Sequence, residues 1–184
     1  MSGNNERRKI LESFGRSPAL LSAALREFPR KMWLYKPSAE RWSIHEIILH
    51  LADSEASGYM LCRHFIAEPG ITPVEFDPGR WADSLGYFHQ STREALEIIR
   101  RLRRMTYQLL VTVPDAIWSH TIVRSRPGDI LLEQWVELQE QHIPHHVDQM
   151  RENYMEWLER NPPRRAATHS HLSPKARSFS LTTC

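Results

Sequence analysis

An all-α, four-helix bundle is the fold class this sequence predicts, and three observations carry that expectation. Apolar residues recur at helical spacing through long stretches of the chain. Ser43 followed three residues later by Glu46 forms a capping box, a start signal for a helix. The seven glycines do not cluster, so no phosphate or dinucleotide loop is present to suggest an α/β alternative.

The first segment, residues 5–28, places Ile10, Leu11, Phe14, Leu20, Leu21, Ala24, Leu25 and Phe28 at helical period. Gly15 to Pro18 interrupts it, with Ser17 able to cap and Pro18 able to sit at a first helical position, so a short helix and a second piece ending before Pro29 are expected. The second helix opens at the Ser43/Glu46 box and runs to about Glu68, where Pro69-Gly70 closes it. A loop with Pro73, Pro78 and Gly79 leads to a third helix expected from about Asp83 to Val113, ended by Pro114. Its Arg100-Arg101 and Arg103-Arg104 runs are assigned to a solvated face. Residues 119–129 have a β-like start and a turn, and a last helix is expected from about Ile130 to Arg160. Residues 1–160 are thus one domain, and 161–184, rich in Arg, Ser, Thr, His and Pro without apolar periodicity, are expected to be a disordered tail.

With 184 residues, 41% of them hydrophobic, the chain suffices for one domain with a real core. A formal net charge of +2 gives no field strong enough to gather nucleic acid or an anionic membrane. Two cysteines, Cys62 in an apolar helical pattern and Cys184 at the end, make no disulfide framework. With a polar start and no apolar run of spanning length, a soluble, cytoplasmic protein is the expectation.

Chemistry concentrates in the histidines. On a helix advancing about 100° per residue, His142 and His146 fall on the side marked by Leu132, Trp135, Leu138, Met150, Asn153 and Trp157, with Gln149 one turn beyond, while His145 sits on the flank. Two imidazoles four residues apart lie side by side and suit zinc or nickel, leaving one face for a third donor from another helix. In the second helix the apolar stripe runs through Ile44, Ile48, Leu51, Glu55, Tyr59, Cys62 and Ile66, with His50 at its edge. Glu55 shares the apolar side and is the better candidate to support a ligand, whereas Asp53 lies opposite and reads as a surface or interhelical contact. The six tryptophans, at 33, 42, 81, 118, 135 and 157, read as packing residues, and histidines 64, 89, 120, 169 and 171 as structural or solvated. No nucleophile and base can be paired, so the catalytic residues stay unassigned; Cys62 lies about 120° round its helix from His50.

The order Trp42-Ser43, Glu46, His50-Leu51-Ala52-Asp53, Glu55, followed by His142, Pro144-His145-His146 and Gln149, resembles the DinB-like superfamily of metal-dependent enzymes. The resemblance covers roughly residues 5–160 and includes Lys36-Pro37-Ser38 and Arg41. It implies an up-down-down-up bundle and selects His50 over His45 as the third ligand beside His142 and His146. It also implies one divalent transition metal, a small-molecule substrate, and either hydrolysis or transfer of a low-molecular-weight thiol. A homodimer is implied too, without nucleic acid or membrane as partner. The competing class is a non-catalytic metal-binding helical module that works through dimerisation; an open coordination position argues for chemistry, since structural zinc sites are closed by four protein ligands.

Overall fold

The computed structural model describes residues 2–74, 77–123 and 128–162. Helix α1 spans Ser2–Ala24 without the expected break at Gly15 to Pro18. Pro18 lacks the N–H that would bond the Phe14 carbonyl, but the Ser17 hydroxyl donates to that carbonyl at 2.8 Å and keeps it satisfied. Gly15 marks a close approach instead: a Cβ there would lie 2.9 Å from Cδ2 of Tyr107 on a neighbouring helix.

Helix α2, Ile44–Ala67, starts at the expected capping box. Ser43 Oγ accepts from the Glu46 N–H at 3.2 Å, and the Ser43 N–H donates to Glu46 Oε2 at 2.8 Å. The single third helix expected over 83–113 is instead α3, Pro78–Ser84, a 3-10 turn at Tyr87–His89 and α4, Thr92–Leu110. Gly86 adopts φ +60°, a left-handed conformation that ends one helix, and Ser91 Oγ caps the next by accepting from the Glu94 N–H at 3.3 Å. The β-like stretch becomes β1, Thr121–Ile122, paired antiparallel with β2, Ile130–Leu131. Helix α5, Leu132–Arg160, then runs through Pro144.

Four long helices form a ring in which α1 packs on α5 and α4, and α2 on α4 and α5. Ion pairs Arg7 to Glu133 and Arg151 to Glu27 make α1 and α5 parallel. Helix α2 runs against α5, with Trp42 bonded to Asn153 and Gly58 facing Trp135. Helix α4 runs against α1, since Arg103 lies over Phe14 while Arg7 reaches Asp115 beyond the end of α4. The order is therefore up-down-down-up, as the resemblance implied. Apolar packing gathers around Met32, Ile48, Leu51, Ile143 and Met150 and around Phe14, Phe65, Leu110 and Trp118, each such buried side chain contributing roughly 1.5–3 kcal/mol. Among the described residues no helix is long and apolar enough to cross a membrane. The expected tail from 163 onward lies outside the described residues.

Candidate metal centre

The antiparallel α2/α5 pair brings His50, His142 and His146 together, with their ligating nitrogens all within 4.8 Å of one another. His142 Nε2 stands 3.3 Å from His50 Nε2 and 3.2 Å from His146 Nε2. Ligands at zinc–nitrogen distances of about 2.0–2.1 Å around a tetrahedral ion stand about 3.3–3.4 Å apart, which matches the spacing of His142 to each of the other two. His146 Nδ1 donates to Gln149 Oε1 at 2.8 Å. An amide oxygen only accepts, so the proton sits on Nδ1 and Nε2 is left with a free lone pair pointing at its neighbours. Nδ1 of His50 and of His142 are buried with no hydrogen-bond partner.

Burial, then the proximity of His146, pushes the His50 imidazole down to about 3. Burial first and neighbouring His146 and His50 next push His142 to about 3, and burial brings His146 to about 4 against the pull of Gln149. All three are neutral near pH 7, the form that ligates. Trp42 covers the cluster, its ring centroid 4.7 Å from that of His50 and 6.4 Å from that of His146. Asn153 holds the Trp42 carbonyl at 2.8 Å and in turn accepts from Arg41 at 2.8 Å. Trp42, expected as a packing residue, covers the cluster instead, and its position directly before the capping box of the His50 helix is the signal for that place.

The other candidates sort cleanly. His45 lies away from the cluster, its Nε2 bonded to the Tyr87 carbonyl at 2.8 Å. His145 is exposed and takes a 2.9 Å bond from the Gln149 amide. Histidine 64 pairs with Glu68, and His120 bonds the Phe65 carbonyl; 169 and 171 lie outside the described residues. Glu55 touches no histidine: it is paired with Arg103, which is fully buried and not on the solvated face expected for it. Arg103 Nη1 also donates to the Gln139 carbonyl of α5 at 3.0 Å. Burial holds the Glu55 carboxyl above its ordinary range, against the pull of Arg103. The Cys62 thiol is buried and pushed up to about 12 by desolvation, which removes it as a nucleophile. Leu138, expected on the inward side of α5, is 57% exposed and lines a cavity.

Two cavities open along the α2/α5 cleft, and the smaller touches His146. One of about 300 Å³ is bounded by Trp42, Ile47, His146, Gln149 and Asn153. The other, about 730 Å³, lies toward the C-terminal half of α2 and the start of α5.

A four-helix bundle of this topology, with three histidines converging from α2 and α5, defines the class of helical protein. The DinB superfamily model matches residues 13–150, and the chain belongs to that superfamily. Among solved structures it is similar to YfiT from Bacillus subtilis, with TM-score 0.77, 19% identity, and 83% of this chain and 88% of that one covered. YfiT is described as "a probable metal-dependent hydrolase with an unusual four-helix bundle topology". No curated protein matches in sequence.

Proposed function

We propose that His50, His142 and His146 hold one divalent transition metal, zinc or nickel, and that the protein is a metal-dependent enzyme acting on a small molecule. One observation carries this: three neutral imidazoles converge on one point, while among the described residues no fourth histidine, cysteine or carboxylate joins the cluster. A structural site is closed by a fourth protein ligand; three leave room for a reactant. Such an ion supplies Lewis acidity, which makes water or a thiol nucleophilic near neutral pH and polarises an electrophile.

The chain supplies the rest. Gln149 fixes the His146 tautomer, Trp42 and the Asn153 bond that anchors it keep water off one side, and burial keeps the imidazoles neutral. Cys62 is too buried and too basic to serve as the thiol, and in the transfer reading the nucleophile is an external low-molecular-weight thiol. Hydrolysis is the reading that the description of YfiT also favours for that relative. A homodimer in the cytoplasm is part of the same proposal.

Metal analysis of protein purified without an affinity tag, followed by cobalt substitution, tests the reading. Thiol or azide should shift the cobalt spectrum, and an unchanged spectrum at millimolar concentrations would favour the non-catalytic metal-binding module. Turnover of ester or amide probes without thiol would select hydrolysis; a strict thiol requirement would select transfer.

A further inference from the structure

The larger cavity is where the molecule offers most recognition chemistry that the histidines do not use. Its volume of about 730 Å³ falls in the range of small-molecule sites. Met60, Trp81, Ile122, Trp135 and Leu138 give it apolar and aromatic walls. Gly58 sits at the α2/α5 contact, where a Cβ would meet Trp135 Cζ2 at 3.4 Å, ordinary packing distance.

Position ties this cavity to the metal centre. Helical side chains lean toward the N-terminus, so the His142 ring on α5 leans toward Leu138 and Gln139, both of which line the cavity. His142 is half-buried, while His50 and His146 are buried. On α2, Asp53 lines the same cavity three residues after His50, about 4.5 Å along the helix axis.

Charge then selects the ligand. Asp53 is half-buried, and one carboxylate oxygen accepts from the Tyr87 hydroxyl. No lysine or arginine is among the described lining residues, and the one other ionisable wall group, His64, is engaged by Glu68 at 2.7 Å. A carboxylate in an apolar, tryptophan-bearing wall favours an organic cation, which gains a charge-assisted hydrogen bond there and the quadrupole of an aromatic face.

We infer that this cavity binds the apolar body of a small molecule that carries a protonated amine, with Asp53 receiving the ammonium and the reacting bond set a few bonds away toward His142. This names a substrate class for the metal-dependent reading and rests on it for the word substrate; the binding itself does not require the metal.

The test is calorimetric titration of the full chain with benzylamine and with benzyl alcohol at neutral pH. The amine is protonated there and offers no lone pair to a metal, so a preference for it reports the carboxylate. Benzylamine should bind about tenfold more tightly than the alcohol. Asp53→Asn, which can still accept from Tyr87, should abolish that preference while leaving alcohol binding unchanged. Ser57→Lys, which puts a cation on the same wall, should do so as well and serves if Asp53→Asn does not fold. Ala56→Trp should weaken both ligands by filling the cavity. Equal affinity for amine and alcohol, a preference that survives Asp53→Asn, or no saturable binding at millimolar concentration would each overturn the inference. The same titration of the parent chain and of His146→Ala, with metal content measured in both, separates the two readings: equal metal in the two with the amine preference kept removes the metal centre and leaves the cavity standing, whereas metal lost in His146→Ala with no amine preference in either removes the cavity inference and leaves the metal centre.

Discussion

Two groups of buried polar side chains lie about one helical turn apart along α2, and they are built on opposite logic. Glu55 and Arg103 pair with each other, with the guanidinium over the Phe14 ring at 4.0 Å and a further bond to the Gln139 carbonyl, while Arg103 Nε is buried without a partner. The histidine cluster holds no such pair: its nitrogens point at one another, and two Nδ1 atoms have no partner. A buried pair of opposite charges ties three helices together, while neutral donors converging on one another form a place for a cation to bind. Residues five apart on α2 thus divide between holding the fold and holding a ligand.

The comparison can be broken in four ways. The largest effect is expected from His146→Ala, which should lose stoichiometric metal altogether, well beyond the 10–100-fold cost of losing a supporting residue, while His145→Ala keeps it. Metal analysis of the purified variants decides this, and equal metal in His146→Ala and the parent would dissolve the distinction. Next, Arg103→Met strands the Glu55 carboxylate in the interior and should cost about 3–5 kcal/mol in urea unfolding, with much of the loss recovered when Glu55→Leu is added. If Arg103→Met instead lowered metal content at unchanged stability, the pair would belong to the site.

A smaller change is expected from Gln149→Ala, which frees the His146 tautomer and should weaken metal binding about 10–100-fold in a chelator competition without altering the melting temperature much. The smallest is a slope. The histidines have folded values of about 3 to 4 against an ordinary 6.5, so the unfolded chain binds more protons between those limits. Stability of the metal-free protein should therefore be full above about pH 6.5 and fall as pH drops toward 4, with His50→Phe reducing the slope near pH 5.5 by up to about 1.4 kcal/mol per pH unit. A slope unchanged in His50→Phe would show that His50 is not buried as a neutral imidazole.

Much of this architecture was legible in the sequence because it is written in local signals. The Ser43/Glu46 box set the start of α2, and a 100° wheel aimed His142 and His146 inward and put His145 outside. What was illegible depended on partners from distant segments. Pro18 reads as a helix start unless one knows that the Ser17 hydroxyl occupies the Phe14 carbonyl. The Gly86 left-handed turn that divides α3 from α4 carries no Pro or Asn to announce it. Arg103 looked solvated within an arginine run, yet it shares the stripe Ala95, Ile99, Thr106 and Leu110. Glu55 on an apolar face required a buried cation somewhere, and Arg103 was the residue at the right spacing. His50 needed the family resemblance, because an edge position on one helix becomes central only once α5 is packed beside it.

The ring order carries a last consequence. Helices α2 and α5 are neighbours in space, but His50 and His142 are 92 positions apart in the chain. An ion gripping both acts as a removable tether across half the polypeptide, and a permanent link closing a loop of that length restricts the denatured ensemble by on the order of 4–5 kcal/mol. On the proposed function, withdrawal of metal by a chelator loosens the molecule as a whole.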